Sequence, residues 1–322
     1  LGVGVQAILL VEDSVRYYST YLPELYKLVL MQTNEFLTET INQQQRKIRK
    51  RSRPKILLAT NYEDALNMYE KYKNNLLGVI SDVGFTLHKD EGPEKEVLDA
   101  GVTLVRHIKK DDPMMPVLLQ SSQESIAAVA EEIGVGFLKK YSKTLMLQLS
   151  DYIKEEFGFG DFVFRDDNRV EYGRASNLKE LEYLVRSVPD DVLLKATSKN
   201  MLSKWFHSRG LFTLGGKVKA VQESEFATVA DMRHYVSQQI HDFHALMGRG
   251  VIAHFDTEKY GRHVWFSRMG EGSLGGKARG LAFLNSLVDK YCLANKYPGV
   301  KISIPRTVVI ATDYFDQFIL EN

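Results

Sequence analysis

The first 157 residues of this sequence predict an α/β fold, and three observations support that prediction. Short apolar runs recur along this part of the chain, as is typical of strands that are buried on both faces of a sheet. Amphipathic stretches lie between the runs, which favours alternating strands and helices. The first apolar run ends on two acidic residues, as expected where a site lies at the carboxyl end of a sheet.

Five apolar runs are the predicted strands. They are AILLVEDS (7–14), KILLAT (55–60), LLGVISDV (76–83), PVLLQSS (116–122) and GFLKK (136–140). Two intervening helices carry end signals, because Asn61 can cap the helix of NYEDALNMYEKY and Gly134 can end that of QESIAAVAEEIG. This order predicts a five-stranded, doubly wound parallel sheet.

The composition of the chain limits the classes of function that it can have. Apolar residues make up 44% of the chain and charged residues 26%, as in ordinary globular proteins. The net charge of +1 favours neither nucleic acid nor an anionic membrane as a partner. Cys292 is the single cysteine, and no apolar run is long enough to cross a bilayer. We therefore expect a cytoplasmic protein.

Polar residues at the predicted strand ends form a specific set. They are Glu12, Asp13, Asp82, Ser121 and Lys140. Converging carboxylates repel one another unless a cation lies among them, and oxygen ligands suit Mg²⁺. A lysine and a hydroxyl group on the other side can hold a transferred phosphoryl group. The set predicts attack by a carboxylate on phosphorus, which forms an acyl phosphate.

The segments LLVEDS, GVISDV, PVLLQSS and GFLKK resemble, in order, the receiver domain of bacterial response regulators, which has a flavodoxin-like fold. The resemblance implies a two-component signalling receiver with Asp82 as its phospho-acceptor. It implies a histidine kinase or a small phosphodonor as partner. The resemblance also implies that Mg²⁺ is bound by Glu12, Asp13, Asp82 and the carbonyl of Gly84. It implies that Ser121 and Lys140 contact the phosphoryl group. Phe137 would be the aromatic switch residue.

The sequence departs from the family's pattern at three places. Tyr141 stands where the family has proline, the loop after Asp82 is extended, and residues 32–53 are inserted before the second strand. A receiver fold that serves only as a phosphorylation-independent interaction module is the alternative interpretation.

The insertion 32–53 is compatible with helix and is expected to lengthen the first helix. Phe36, Leu37 and Ile41 could pack against a second subunit, so a homodimer through this helix is a hypothesis. The stretch 46–53 contains six basic residues in eight. A solvated helix end is favoured over a nucleic-acid contact there.

Residues 158–248 are predicted to form a connector with a short hairpin, followed by a small helical domain. Helices are expected over 177–188, 190–210 and 229–248, and LGGK at 214–217 is expected to be a turn. A DNA-binding regulator is a further alternative. The apolar residues of SKNMLSKWFHSRG and the near-neutral charge argue against it.

GEGSLGGKARG (270–280) predicts an anion-binding loop at a helix N-terminus. It lacks residues that the Rossmann, Walker A and protein-kinase patterns require. With the following apolar helix and the strand TVVIAT, it resembles the opening of the ATP-binding domain of pyruvate phosphate dikinase and phosphoenolpyruvate synthase. The resemblance implies that Gly275, Gly276 and Lys277 contact ATP phosphates.

That second resemblance covers only the start of an ATP-binding domain, at 249–322. We expect the chain to be the N-terminal portion of a larger ATP-dependent phosphotransferase that the receiver regulates. This portion is expected to be inactive apart from the receiver's own phosphorylation and dephosphorylation. The alternative is a complete chain in which residues 250–322 cap the helices.

Overall fold

The chain divides into two compact units. The computed structural model describes residues 5–38, 50, 52–219, 225–248, 252–255, 266–291, 293, 296–297 and 299–321. The first unit comprises Leu1–Thr38 and Ile48–Ser237, and the second comprises Glu39–Lys47 and Gln238–Asn322.

A five-stranded parallel sheet forms the centre of the first unit. Its strands are β1 (Ala7–Val11), β2 (Lys55–Ala59), β3 (Leu76–Asp82), β4 (Val117–Ser121) and β5 (Gly136–Lys139), in the order β2-β1-β3-β4-β5. The helices that follow these strands are α1 (Val15–Thr38), α2 (Tyr62–Tyr72), α3 (Ala100–Asp111), α4 (Ile126–Ile133) and α5 (Leu145–Glu156). This strand order is the doubly wound, flavodoxin-like arrangement, which confirms the predicted fold class.

Both faces of the sheet are covered by helices. Leu9 of β1 packs in the core that α2, α3 and α4 cover, whereas Ile8 and Leu10 pack in the core on the side of α1 and α5. All five residues of β1 are therefore buried. Burial on both faces explains why the strands read as continuous apolar runs.

Local signals mark the start of one helix and the end of another where the sequence predicts them. The Asn61 side chain accepts a hydrogen bond of 2.8 Å from the backbone N–H of Asp64, which caps α2. Gly134 has a φ of 73° and follows the last residue of α4, in the left-handed conformation that glycine adopts easily.

The helical region of the first unit follows a hairpin, as predicted. The hairpin strands are β6 (Phe162–Arg165) and β7 (Glu171–Ala175), and they are antiparallel. The helices are α6 (Leu178–Ser187), α7 (Asp190–Ser198), α8 (Met201–Ser208), α9 (Phe212–Lys219) and α10 (Val229–Gly248), the last of which continues into the second unit.

Two predictions for this region are wrong. The single helix expected over 190–210 is two helices, because Asn200 has a φ of 54° and interrupts the helical backbone. LGGK at 214–217 is helical and lies inside α9. A Cβ on Gly215 would lie 2.5 Å from the His207 ring, so glycine at this position lets α9 approach α8 closely.

The connector after α5 is fixed by a buried arginine. Arg209 donates hydrogen bonds to the carbonyls of Gly158 (3.2 Å) and Gly160 (2.6 Å), and its guanidinium stacks 3.5 Å from the Trp205 ring centroid. The backbone N–H of Gly160 donates to Gln32 of α1 at 2.9 Å. These polar contacts therefore join the connector to α1 and to the helical region.

The second unit contains a small parallel sheet. Its strands are β8 (Ile252–His254), β9 (Phe266–Met269) and β10 (Thr307–Ile310), in the order β10-β9-β8. Its helices are α11 (Gly276–Lys290) and α12 (Thr312–Glu321). The predicted strand within TVVIAT and the predicted helix after the glycine loop are both present.

The inserted segment is described only in part. Helix α1 continues to Thr38, so it enters the insertion as expected. The side chains of Phe36 and Leu37, the whole of Ile41 and most of the basic stretch lie outside the described residues. Within the described parts of the chain, the helices are too short or too polar for a bilayer span.

Candidate functional site

Three carboxylates meet at the carboxyl end of the five-stranded sheet. Glu12 and Asp13 follow β1, and Asp82 is the last residue of β3. β1 and β3 are neighbours and run parallel, so both strands end at the same edge. Each acid offers one oxygen atom, and these atoms lie within 4.8 Å of one another.

Lys140 faces two of these acids. Its Nζ donates to Glu12 Oε2 at 2.9 Å and to Asp82 Oδ2 at 2.5 Å, and its side chain is only 6% exposed. The same ammonium lies 4.1 Å from the centroid of the Tyr17 ring. Lys139, in contrast, is exposed and pairs with Glu124. The second lysine of the pair is therefore the one at the site, as the sequence predicts.

The acids are held in an unfavourable electrostatic environment. The pKa of Glu12 is raised to about 7, chiefly by burial and then by the charge of Asp82, while Lys140 opposes both effects. Burial also raises the pKa of Asp13, followed by the charges of Asp82 and Glu96. Carboxylates that repel one another at close range and offer converging oxygens fit a hard divalent cation such as Mg²⁺.

Ser121 and Phe137 lie on the next two strands. Ser121 ends β4, is buried, and accepts a hydrogen bond of 3.1 Å at its hydroxyl oxygen from the backbone N–H of Gln123. Phe137 lies in β5 opposite Leu119 and is half-buried against the core under α2, α3 and α4. The sheet thus brings Ser121 to the same edge as the acids.

The departure at Tyr141 has a conformational consequence. Tyr141 has a φ of 68°, which lies in the left-handed region. Proline has a fixed negative φ and could not adopt this backbone. The Tyr141 ring makes an edge contact with Tyr17, with 5.8 Å between the centroids. The residue after Lys140 therefore follows a different path from the one that proline would impose.

Gly101 is a site residue that sequence reasoning missed. It lies in the first turn of α3, and its N–H donates to the carbonyl of Val83 at 2.8 Å. A Cβ on Gly101 would lie 2.0 Å from the backbone oxygen of Asp82. α3 therefore rests directly on the backbone of the proposed acceptor. A glycine early in a helix was the available signal, since it costs helix stability without a packing reason.

Glu96 was also missed. It lies in the extended loop after β3, and its Oε1 would be 2.2 Å from a Cβ on Gly84. The sequence GPEKE offers no spacing that relates this glutamate to the acids at the strand ends. Its approach depends on how the loop folds back.

The glycine loop of the second unit is fixed at one end. The N–H of Glu271 donates to Asp313 Oδ2 at 2.7 Å, and that of Ser273 donates to Thr312 Oγ1 at 3.0 Å. Asp313 therefore already occupies amides early in the loop.

The other end of this loop begins α11, and no other described residue packs against its glycines. A Cβ on Gly275 or Gly276 would meet no described atom within 4 Å. Lys277 lies in the first turn of α11, as predicted. Packing among the described residues therefore gives no reason for these two glycines.

No family model and no curated protein matches the sequence. Solved structures do resemble the chain. One is a response regulator receiver domain protein from Clostridium thermocellum, with 19% identity and a TM-score of 0.30, over 47% of this chain and 92% of that one. Another is the signal receiver domain of an HD domain-containing protein from Pseudomonas fluorescens Pf-5, with 17% identity and a TM-score of 0.31, over 48% and 92%.

A third similar structure is a CheX–CheY–BeF3–Mg²⁺ complex from Borrelia burgdorferi, with 16% identity and a TM-score of 0.30, over 46% of this chain and 86% of that one. Because the sequence identities and TM-scores are low, the fold assignment rests on the strand order of this chain itself. The solved structures to which the chain is similar include receiver domains of response regulators.

Proposed function

We propose that this chain is a two-component signalling receiver that accepts a phosphoryl group on Asp82. The observation that supports the proposal most is the position of this carboxylate. It ends β3 beside the acids that follow β1, and Lys140 Nζ lies 2.5 Å from its Oδ2. Nucleophile, oxygen ligands and a cationic side chain thus lie within one small region.

The proposed step is a substitution at phosphorus. An oxygen of Asp82 attacks the phosphorus atom of a histidine kinase phosphohistidine or of a small phosphodonor. The bond from phosphorus to the donor breaks, and its electron pair leaves with the donor nitrogen or oxygen. The product is an aspartyl phosphate. An imidazole released from phosphohistidine takes up a proton from solvent, whereas acetate released from acetyl phosphate leaves as the anion.

The remaining side chains would stabilise the transferred charge. Glu12, Asp13, Asp82 and the carbonyl of Gly84 would hold Mg²⁺, which neutralises negative charge on the acids and the phosphoryl oxygens when it is bound. The Lys140 ammonium and the Ser121 hydroxyl group would donate hydrogen bonds to phosphoryl oxygens. Movement of Ser121 and Phe137 after transfer would carry the signal.

Acetyl phosphate with Mg²⁺ tests the proposal. Wild-type protein is expected to gain one phosphoryl group that hydroxylamine removes, as measured by intact mass. Asp82→Asn is expected to gain none, because the nucleophilic carboxylate is absent. Asp90→Asn, an exposed aspartate in the loop after β3, is the matched control and should react like wild type. Equal labelling of the Asp82 variant would contradict the assigned role.

We further propose that the second unit contributes the start of an ATP-binding domain of a fused phosphoenolpyruvate-synthase-like phosphotransferase. The two glycines at the start of α11 support this proposal, because no described atom lies within 4 Å of a Cβ on Gly275 or Gly276. Such a helix start can bind phosphate through its free N–H groups. Lys277 would add a point charge.

Calorimetric titration with ATP tests this second proposal. Lys277→Ala is expected to weaken ATP binding, whereas Lys301→Ala, a change at another exposed lysine, should leave it unchanged. Equal affinities for the two variants would remove Lys277 from the proposed site.

A further inference from the structure

Helix α1 places an aromatic side chain beside the lysine of the acid site. Tyr17 lies near the start of α1, four residues after Asp13, and its ring centroid is 4.1 Å from Lys140 Nζ. At this distance an ammonium group is attracted to the face of an aromatic ring. The ring therefore adds a third contact to the two that the same ammonium makes with carboxylates.

The Tyr17 ring is itself held by two other aromatic side chains. Tyr21, one turn later in α1, stacks against it with 6.0 Å between the centroids and 20° between the planes. Tyr21 is fully buried in the core on the side of α1 and α5. Tyr141 contacts the Tyr17 ring with its edge. A ring that is already ordered by such contacts can hold the ammonium at little further cost in entropy.

The Lys140 side chain needs such a contact because only its backbone is fixed by the sheet. Its N–H donates to the carbonyl of Ser121 at 2.8 Å, but a flexible four-carbon stem separates the backbone from the ammonium. Glu12 and Asp82 hold the ammonium through charge that a bound divalent cation would share. The Tyr17 ring has no net charge, so it attracts the ammonium without neutralising it and without repelling a phosphoryl group.

We propose that Tyr17 is a positioning residue for phosphoryl transfer, whose ring holds the Lys140 ammonium beside Asp82. The proposal rests on the proposed function, because the step that Tyr17 assists is transfer to Asp82. Tyr17 acts through Lys140 and does not contact the phosphoryl group itself. Removal of the ring should therefore slow the transfer without abolishing it.

The rate of phosphorylation by acetyl phosphate with Mg²⁺, followed by intact mass, tests the inference. Tyr17→Leu is expected to react about 2- to 10-fold more slowly than wild type, the range that loss of one such contact implies. Tyr17→Phe keeps the ring and should react at the wild-type rate. Tyr18→Leu is the matched control, because Tyr18 is the next residue of α1 and is half-buried against the same core.

A spectroscopic measurement detects the contact without any reaction. Protons that lie over an aromatic face resonate upfield because of the ring current. In NMR spectra the Cε protons of Lys140 should therefore lie upfield of those of Lys139, which is exposed. Tyr17→Leu should remove this upfield shift and Tyr17→Phe should retain it. Loss of the signal in Lys140→Arg assigns it.

The outcomes separate this inference from the function on which it rests. Wild-type rates in Tyr17→Leu, equal slowing in Tyr17→Leu and Tyr18→Leu, or no upfield signal from Lys140 would overturn the role of the ring and leave the receiver site in place. A Tyr17→Phe variant as slow as Tyr17→Leu would also overturn it, because the hydroxyl group would then be responsible. Wild-type protein that gains no phosphoryl group would count against both proposals.

Discussion

At the scale of single residues, two lysines differ in the groups that compensate their positive charge. Lys140 is buried but faces Glu12 and Asp82, so its charge is matched by carboxylates. Lys204 of α8 is different, because its Nζ donates to the carbonyls of Met114 (2.8 Å) and Lys199 (3.3 Å). Burial lowers the pKa of Lys204 to about 8.

The lowered pKa of Lys204 predicts a pH-dependent stability. Between about pH 8 and pH 10.5 the folded protein binds fewer protons at Lys204 than the unfolded chain does. Stability linked to this residue therefore rises as the pH increases through this window, and the cost of burying the charge is greatest below it.

Denaturant unfolding of Lys204→Met measures this effect. The difference in unfolding free energy between variant and wild type is expected to shift in favour of wild type as the pH rises from about 8 to 10.5. Lys199→Met, at an exposed position, controls for the loss of a lysine charge. A difference that does not change with pH would contradict the inferred burial cost.

At the residue scale, sequence reasoning selected acids and a lysine that the structure brings together at one edge of the sheet. Glu12, Asp13, Asp82 and Lys140 could be selected because each stands at the end of an apolar run, where the carboxyl ends of a parallel sheet hold its site. Gly101 gave only an indirect signal, a glycine early in a helix, and the position of Glu96 against Gly84 gave none, because each contact joins segments that are distant in the chain. Spacing along the chain contains no record of such contacts.

At the scale of elements, packing overrode local preference in α9. Glycine is a poor helix former, so LGGK reads as a turn. In the structure Gly215 allows close approach to His207 of α8, whereas Gly216 faces open space. Glycine therefore has a packing role at position 215, whereas the structure shows no packing role for it at position 216.

Two substitutions in α9 separate these roles. Gly215→Ala is expected to lower the unfolding free energy by about 1–3 kcal/mol, because its Cβ would collide with the His207 ring. Gly216→Ala should raise it by up to about 1 kcal/mol, since alanine favours helix. Urea unfolding of both variants checks the signs, and equal destabilisation would contradict the packing of α9 on α8.

The strands of the sheet and the caps of its helices could be predicted because their causes are local. Continuous apolar runs follow from burial on both faces, and the Asn61 cap forms within one turn of helix. The break at Asn200 was not predictable from periodicity, because apolar residues continue on both sides of it.

At the scale of the whole molecule, the five-stranded parallel sheet and the helical region belong to one compact unit. Phe157 and Phe159 bury in the core on the side of α1 and α5, and a Cβ on Gly78 would lie 2.1 Å from the Phe157 ring. Arg209 then fixes the connector between the two parts. The sheet and the helical region are thus held together by buried aromatic packing and by the contacts of Arg209.

The central claim is that Asp82 accepts a phosphoryl group beside a divalent cation and opposite Lys140. A crystal structure of the protein with Mg²⁺ and beryllofluoride, a mimic of the phosphoryl group, tests it most directly. We expect beryllofluoride on the Asp82 carboxylate, the cation in contact with Asp13 and Asp82, and Lys140 in contact with a fluorine. An unmodified Asp82 with no cation among these acids would contradict the claim.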